Sequence, residues 1–162
     1  AGMFHLMVNM LTFYFFAFVL EARYMGSYHF LAMYLVSQVV SNGVVAWQYR
    51  TRPNYNAVGA SGAISGLVFA FIVFNPDQRL YLFFFLPIQA WWFGIGFVVF
   101  SYFAARNQFD NVAHEAHLWG AITGFVYTAL FFTDELEGLW RVMYYGVRDG
   151  LNQLLVALPA MG

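Results

Sequence analysis

Apolar runs of membrane-span length dominate this chain, and one of them, residues 61–74, is too short to cross a bilayer. As a helix it would rise about 21 Å, whereas the hydrocarbon core of a bilayer is roughly 30 Å thick. If residues 75–77 sit at one membrane surface, Ser61 lies well below the other, and the polar residues 49–56 must dip inward to reach it. Irregular backbone at that depth needs protein packing or a water-filled cavity. We therefore expect Ser61 to lie in a site that is below the membrane surface but accessible to water.

The apolar runs predict an all-α, polytopic transmembrane helix bundle. Hydrophobic residues make up 62% of the chain and charged residues 9%, against about 25% charged in soluble domains. The net charge of −1 gives no indication of a nucleic-acid partner, and the lack of cysteine excludes thiol chemistry. Residues 80–88 are too short to cross, so we interpret them as an interfacial connection. The predicted spans cover residues 3–20, 28–47, 61–74, 90–105 and 114–132.

Residues 134–162 differ in composition from the predicted membrane core, residues 1–133. Charged residues return there, and apolar residues such as Leu136, Leu139, Trp140 and Met143 recur at helical spacing. This spacing predicts an amphipathic helix in the cytoplasm or on the membrane surface. We expect this segment to form a C-terminal unit of its own.

The arginines give a weak indication of orientation. With the tail and the turns at residues 21–23 and 77–79 in the cytoplasm, four arginines lie inside, while Arg50, Arg52 and Arg106 lie outside. The positive-inside rule slightly favours this placement. Ser61 would then open toward the extracytoplasmic side, as in a bacterial inner membrane protein.

Four polar side chains stand out within the predicted spans: His5, Asn9, Ser61 and His117. Polar groups are costly in a membrane and often mark a functional site. His5 and Asn9 are four residues apart and share one helix face. His5 and Asn9 could instead form a hydrogen bond that only joins helices, and Ser61 could hydrogen-bond within its own helix.

Small residues border two of these polar groups. Ala116, Gly120 and Gly124 recur every four residues beside His117, and Gly62 and Gly66 have the same spacing beside Ser61. Stripes of small residues let helix backbones approach closely. A serine and a histidine on separate helices need that approach to form a hydrogen bond.

These motifs resemble those of the rhomboid family of intramembrane serine proteases. His-x-x-x-Asn at residues 5–9, Gly-Ala-Ser-Gly at 59–62 and Ala-His-x-x-Gly-x-x-x-Gly at 116–124 occur in the family's order. Glu-x-Arg-x-x-Gly at residues 21–26 looks like the family's turn between its second and third helices. The resemblance covers roughly residues 2–132. It implies helices two to six of a six-helix core, so we expect the chain to be part of a longer one.

The resemblance also implies a role for each site residue. Ser61 matches the nucleophile and His117 its general base. His5 and Asn9 match the side chains of the oxyanion hole, and Gly59 matches the loop glycine that shapes it. The implied substrates are single-span membrane proteins in the lipid bilayer, cleaved in or near their transmembrane segments. No cofactor or metal is implied.

One departure from the family concerns the orientation of His117. Some members place an aromatic residue one turn after the serine, where it stacks on the histidine. Ser65 occupies that position here, so His117 must be oriented in another way.

The sequence leaves three other interpretations. A catalytically silent rhomboid-like protein would bind transmembrane segments without cutting them, although the family's inactive members lack the serine or the histidine. The sequence His-Glu-Ala-His at residues 114–117 superficially resembles a zinc protease motif, but that motif needs two residues between Glu and the second His. We interpret His114 as a loop or helix-cap residue. A transporter fragment fits less well, since the polar groups converge on one site.

Substrate entry requires one wall of the site to open toward lipid. The segment at residues 90–105 is rich in aromatic residues and carries Gly94 and Gly96, which weaken its helix. We expect it to act as a lateral gate, as the corresponding family helix is proposed to do. Its closed state would rest on aromatic contacts with residues such as Phe13 and Phe16.

Overall fold

The computed structural model describes residues 2–51, 59–82, 85–107 and 114–157. Its helices confirm the predicted all-α bundle, and the short third helix has the bounds expected from the sequence. Arg52 and most of the predicted inward-dipping segment lie outside the described residues. The elements are α1 (Met3–Val19), a π-helical turn (Leu20–Met25), α2 (Gly26–Gln48), α3 (Ser61–Phe74), β1 (Arg79–Leu82), β2 (Leu86–Gln89), α4 (Ala90–Asn107), α5 (His114–Phe131) and α6 (Thr133–Ala157).

Helices α1 and α2 form a hairpin that reverses at Gly26. This glycine has a φ of +67°, which side-chain-bearing residues rarely adopt. The rings of Phe13 and Tyr34 lie 5.6 Å apart, whereas about 20 positions of straight helix would separate them by roughly 30 Å. By length and hydropathy, the helical stretch Met3–Gln48 could cross a membrane.

Helix α3 lies at the centre of the bundle. Every residue from Gly62 to Phe74 except Phe71 is buried. Phe71 packs against Phe16 of α1 at 4.9 Å between ring centroids, and Phe69 packs against Phe97 of α4 at 5.5 Å. A helix that is apolar on all sides is expected to be covered by neighbours in this way.

The backbones of α3 and α5 touch. A β-carbon built on Gly120 would overlap the carbonyl oxygen of Gly62, and one built on Gly124 would overlap that of Gly66. Because the higher-numbered glycine of α5 meets the higher-numbered glycine of α3, the two helices run parallel. This contact confirms the close approach predicted from the two glycine stripes.

Helix α2 packs against the same two glycines of α3. Ser41 faces Gly62 and Ser37 faces Gly66, and both serines are fully buried. A β-carbon on Gly66 would lie 2.6 Å from the Ser37 Oγ. The order of the pairs shows that α2 is antiparallel to α3.

The carboxyl-terminal end of α3 is tied to the π-helical turn between α1 and α2. Tyr24 donates a hydrogen bond to Asn75 Oδ1 at 2.6 Å.

The predicted interfacial connection contains an antiparallel pair of strands, in which Tyr81 of β1 lies opposite Pro87 of β2.

The predicted amphipathic tail helix is present as α6. It turns by 116° relative to α5, and its Leu139 is buried in a cluster with Val73 and Trp91. Its contact with a membrane surface stays a prediction.

The α3–α5 contact predicts that even one methyl group at Gly124 is destabilising. Gly124→Ala would force the helices apart at Gly66, and such overpacking costs about 1–3 kcal/mol. We expect the melting temperature in detergent to fall by about 3–10 °C.

Gly96→Ala on α4 is the matched control. Nothing lies within 4 Å of a β-carbon built there, so this change should leave the melting temperature unchanged or raise it slightly. Equal effects of the two substitutions would contradict the close contact.

Candidate active site

The amino-terminal ends of α3 and α5 lie at the same end of the bundle. Ser61 is the first residue of α3, and His114 is the first residue of α5. A β-carbon on Gly62 would lie 3.1 Å from the carbonyl oxygen of Ala116, so Ser61 and His117 each adjoin a residue of this contact. Helix amino-termini carry unpaired N–H groups and partial positive charge. Two of them together favour negative charge at this end.

His5 and Asn9 form a hydrogen-bonded pair on α1. Asn9 Nδ2 lies 3.0 Å from His5 Nδ1 and 3.4 Å from His5 Nε2, and since the amide nitrogen can only donate, one ring nitrogen accepts. In the neutral imidazole the other ring nitrogen carries the proton, so His5 keeps one N–H donor. Asn9 keeps its second amide hydrogen. Two donors therefore remain available on this face of α1.

His5, Asn9 and Gly59 converge on one cavity of about 620 Å³. Its wall also includes Ala60 and Ile64, the residues on either side of the first turn of α3, while Ser61 between them is half-buried. The remaining lining residues are Gly2, Met3, Leu6, Met10, Phe13 and Tyr34.

The ring of His117 contacts aromatic rings from three helices. It lies parallel to His5 of α1, at 6.4 Å and 11° between planes. Phe97 of α4 is 6.4 Å away, and His114 of α5 approaches edge-on at 5.9 Å. These contacts orient His117 without an aromatic residue at Ser65, whose hydroxyl donates to the Ser61 carbonyl at 3.0 Å.

His114, interpreted from the sequence as a loop or cap residue, begins α5 and is 6% exposed. Its ring also packs edge-on against Phe100 at 5.5 Å. The burial of this residue was not expected.

Of the α1 residues expected to meet α4, Phe16 packs against the apolar cluster of Val68, Phe69 and Ile72, which Phe93 and Phe97 of α4 also contact. Phe13 packs edge-on against Phe30 and Tyr34 of α2, because the reversal at Gly26 brings α2 alongside. Trp92 stacks on Trp91 at 4.2 Å and is exposed. The role of α4 as a lateral gate stays a prediction.

Two further contacts hold the segments around the site, and neither was anticipated. Gln38 Nε2 of α2 donates to the carbonyl oxygen of Gly59 at 3.0 Å. Tyr49 near the end of α2 donates to the carboxylate of Glu115 in the first turn of α5. As a polar residue in an apolar span, Gln38 meets the criterion that singled out Asn9.

A family model places the chain among known proteins. The Rhomboid domain model matches residues 1–134. Comparison with the curated proteins and with the solved structures gives no significant match. The family match covers most of the chain. It includes the residues of the cavity, the glycine contact between α3 and α5, and the α5 histidines His114 and His117. The chain therefore belongs to the rhomboid family.

Proposed function

We propose that this chain is an intramembrane serine endopeptidase with Ser61 as nucleophile and His117 as general base. The observation that carries the proposal is the convergence at one end of the bundle. Ser61 begins α3 beside the cavity lined by His5, Asn9 and Gly59. The glycine contact sets the turn of α5 that bears His117 against the same end of α3.

The proposed reaction is acyl transfer in two steps. The Ser61 hydroxyl attacks the substrate carbonyl while its proton passes to the His117 imidazole. The resulting oxyanion is stabilised by the ring N–H of His5, the second amide hydrogen of Asn9 and backbone N–H groups before α3. His117 then protonates the leaving amine, and water hydrolyses the acyl-enzyme in the second step.

The substrates we propose are single-span membrane proteins cleaved in or near their transmembrane segments. Leu6, Met10, Phe13 and Ile64 give the cavity an apolar wall that suits such a segment. The arginine distribution supports an active site that opens to the extracytoplasmic side, with the bacterial inner membrane as one location.

The alternative is a rhomboid-like protein that binds transmembrane segments without cutting them. The presence of both Ser61 and His117 favours the protease. The two functions differ in a single observation, namely whether a bound single-span substrate is cleaved.

Replacing Ser61 tests the nucleophile. Ser61→Ala should lower cleavage of a single-span substrate in liposomes by at least about 10⁴-fold while leaving the melting temperature near that of the wild type. Ser65→Ala is the matched control one turn away and should retain activity within a few fold, because its hydroxyl bonds to its own helix. Full cleavage by Ser61→Ala would contradict the proposal.

Replacing each histidine of α5 tests which one is the base. His117→Ala should reduce kcat by about 10³-fold or more. His114→Ala should reduce it only modestly, through loss of an edge-on contact with His117. The opposite ranking, measured with the same substrate, would assign the base to His114.

Replacing the donors on α1 tests oxyanion stabilisation. His5→Ala and Asn9→Ala should each lower kcat by about 10²-fold or more, the usual cost of one such donor. KM should change little, since the interaction forms in the transition state. A rise in KM with kcat intact would show that these side chains contact substrate instead.

A further inference from the structure

Gln38 fixes the peptide that leads into Ser61. Its Nε2 donates to the Gly59 carbonyl oxygen at 3.0 Å, across 21 positions of sequence. The acceptor is a backbone oxygen that can only accept, so the side-chain amide must present its nitrogen there. This hydrogen bond ties helix α2 to the residue two positions before the proposed nucleophile.

Holding that carbonyl also sets the direction of the next N–H. Among the described residues no peptide bond is cis, and in a trans peptide the C=O and N–H point in opposite directions. With the Gly59 carbonyl drawn toward Gln38, the Ala60 N–H points away from Gln38. Gly59 and Ala60 form part of the wall of the cavity that contains His5 and Asn9.

We propose that Gln38 is a positioning residue that aims the Ala60 N–H at the oxyanion. The inference rests on the proposed protease function. Gln38 does not touch the substrate. It acts through the Gly59–Ala60 peptide, whose orientation would otherwise vary because Gly59 restricts the backbone least.

Stability does not explain a glutamine at this position. Gln38 Oε1 is buried, and within the described parts of the chain it has no hydrogen-bond partner. An unpaired buried acceptor costs free energy, whereas a methionine fills similar space without that cost. The amide is therefore expected to serve the geometry of the loop more than the stability of the bundle.

Gln38→Met separates these two roles. We expect kcat for a single-span substrate to fall about 10-fold or more, because displaced catalytic geometry is costly. KM should stay within about twofold and the melting temperature within about 3 °C of the wild type. Gln48→Met is the matched control: Gln48 is exposed at the end of the same helix, and this variant should keep the wild-type kcat.

Gln38→Glu supplies a second readout that a purely structural role would not move. An ionised carboxylate cannot donate to the Gly59 carbonyl, whereas the protonated acid can. The ratio of its kcat to that of the wild type should therefore rise as the pH falls through the pKa of the introduced glutamate. The other ionisable groups of the site occur in both proteins, so the effects of their titration on kcat largely cancel in the ratio. These groups are His5, His114, His117 and Tyr34.

Two results would overturn the inference. One is a wild-type kcat in Gln38→Met. The other is a joint fall of kcat and melting temperature in that variant, with no recovery of Gln38→Glu in acid. If the wild type and Ser61→Ala cleave equally, the proposed function fails and this inference fails with it. A wild-type kcat in Gln38→Met, where cleavage depends on Ser61, overturns this inference alone.

Discussion

The direct contact between the backbones of α3 and α5 is the constraint on which the site depends. Helices usually pack with their axes about 8–10 Å apart because side chains separate them. Here Gly62 and Gly66 meet Gly120 and Gly124, so the carbonyl oxygens of α3 occupy the space of absent β-carbons. In a bilayer, burial of apolar surface gives little drive for helix association, and close packing takes its place.

The parallel direction of this contact determines where the candidate site lies. It brings the amino-terminal ends of α3 and α5 together, with Ser61 and His117 one position from the contact. The reversal at Gly26 makes α2 antiparallel to α1, and α2 is antiparallel to α3, so α1 runs in the same direction as α3. His5 and Asn9 therefore lie at the same end. The opposite end, around Tyr24–Asn75 and Leu139, is held by packing and hydrogen bonding.

The bounds of α3 and the two glycine stripes could be predicted because each is a local, periodic pattern. The hydrogen bond from Gln38 to the Gly59 carbonyl could not, because a single polar residue in an apolar span gives the same signal whether it faces lipid, another helix or a loop. The partner of Phe13 depends on the turn at Gly26, which brings α2 beside α1. The strands β1 and β2 are four residues each, too short for an alternating pattern to stand out from the neighbouring apolar runs.

If the protease proposal holds, the glycine contact places Ser61 in a reactive setting. The most direct measurement is peptide mapping by mass spectrometry after treatment of the lipid-embedded protein with a fluorophosphonate. We expect one adduct, on Ser61 Oγ, that is lost in Gly120→Ala although the variant keeps its helical circular dichroism. Labelling of another residue, or equal labelling of Ser61 in Gly120→Ala, would show that the glycine contact does not make Ser61 reactive.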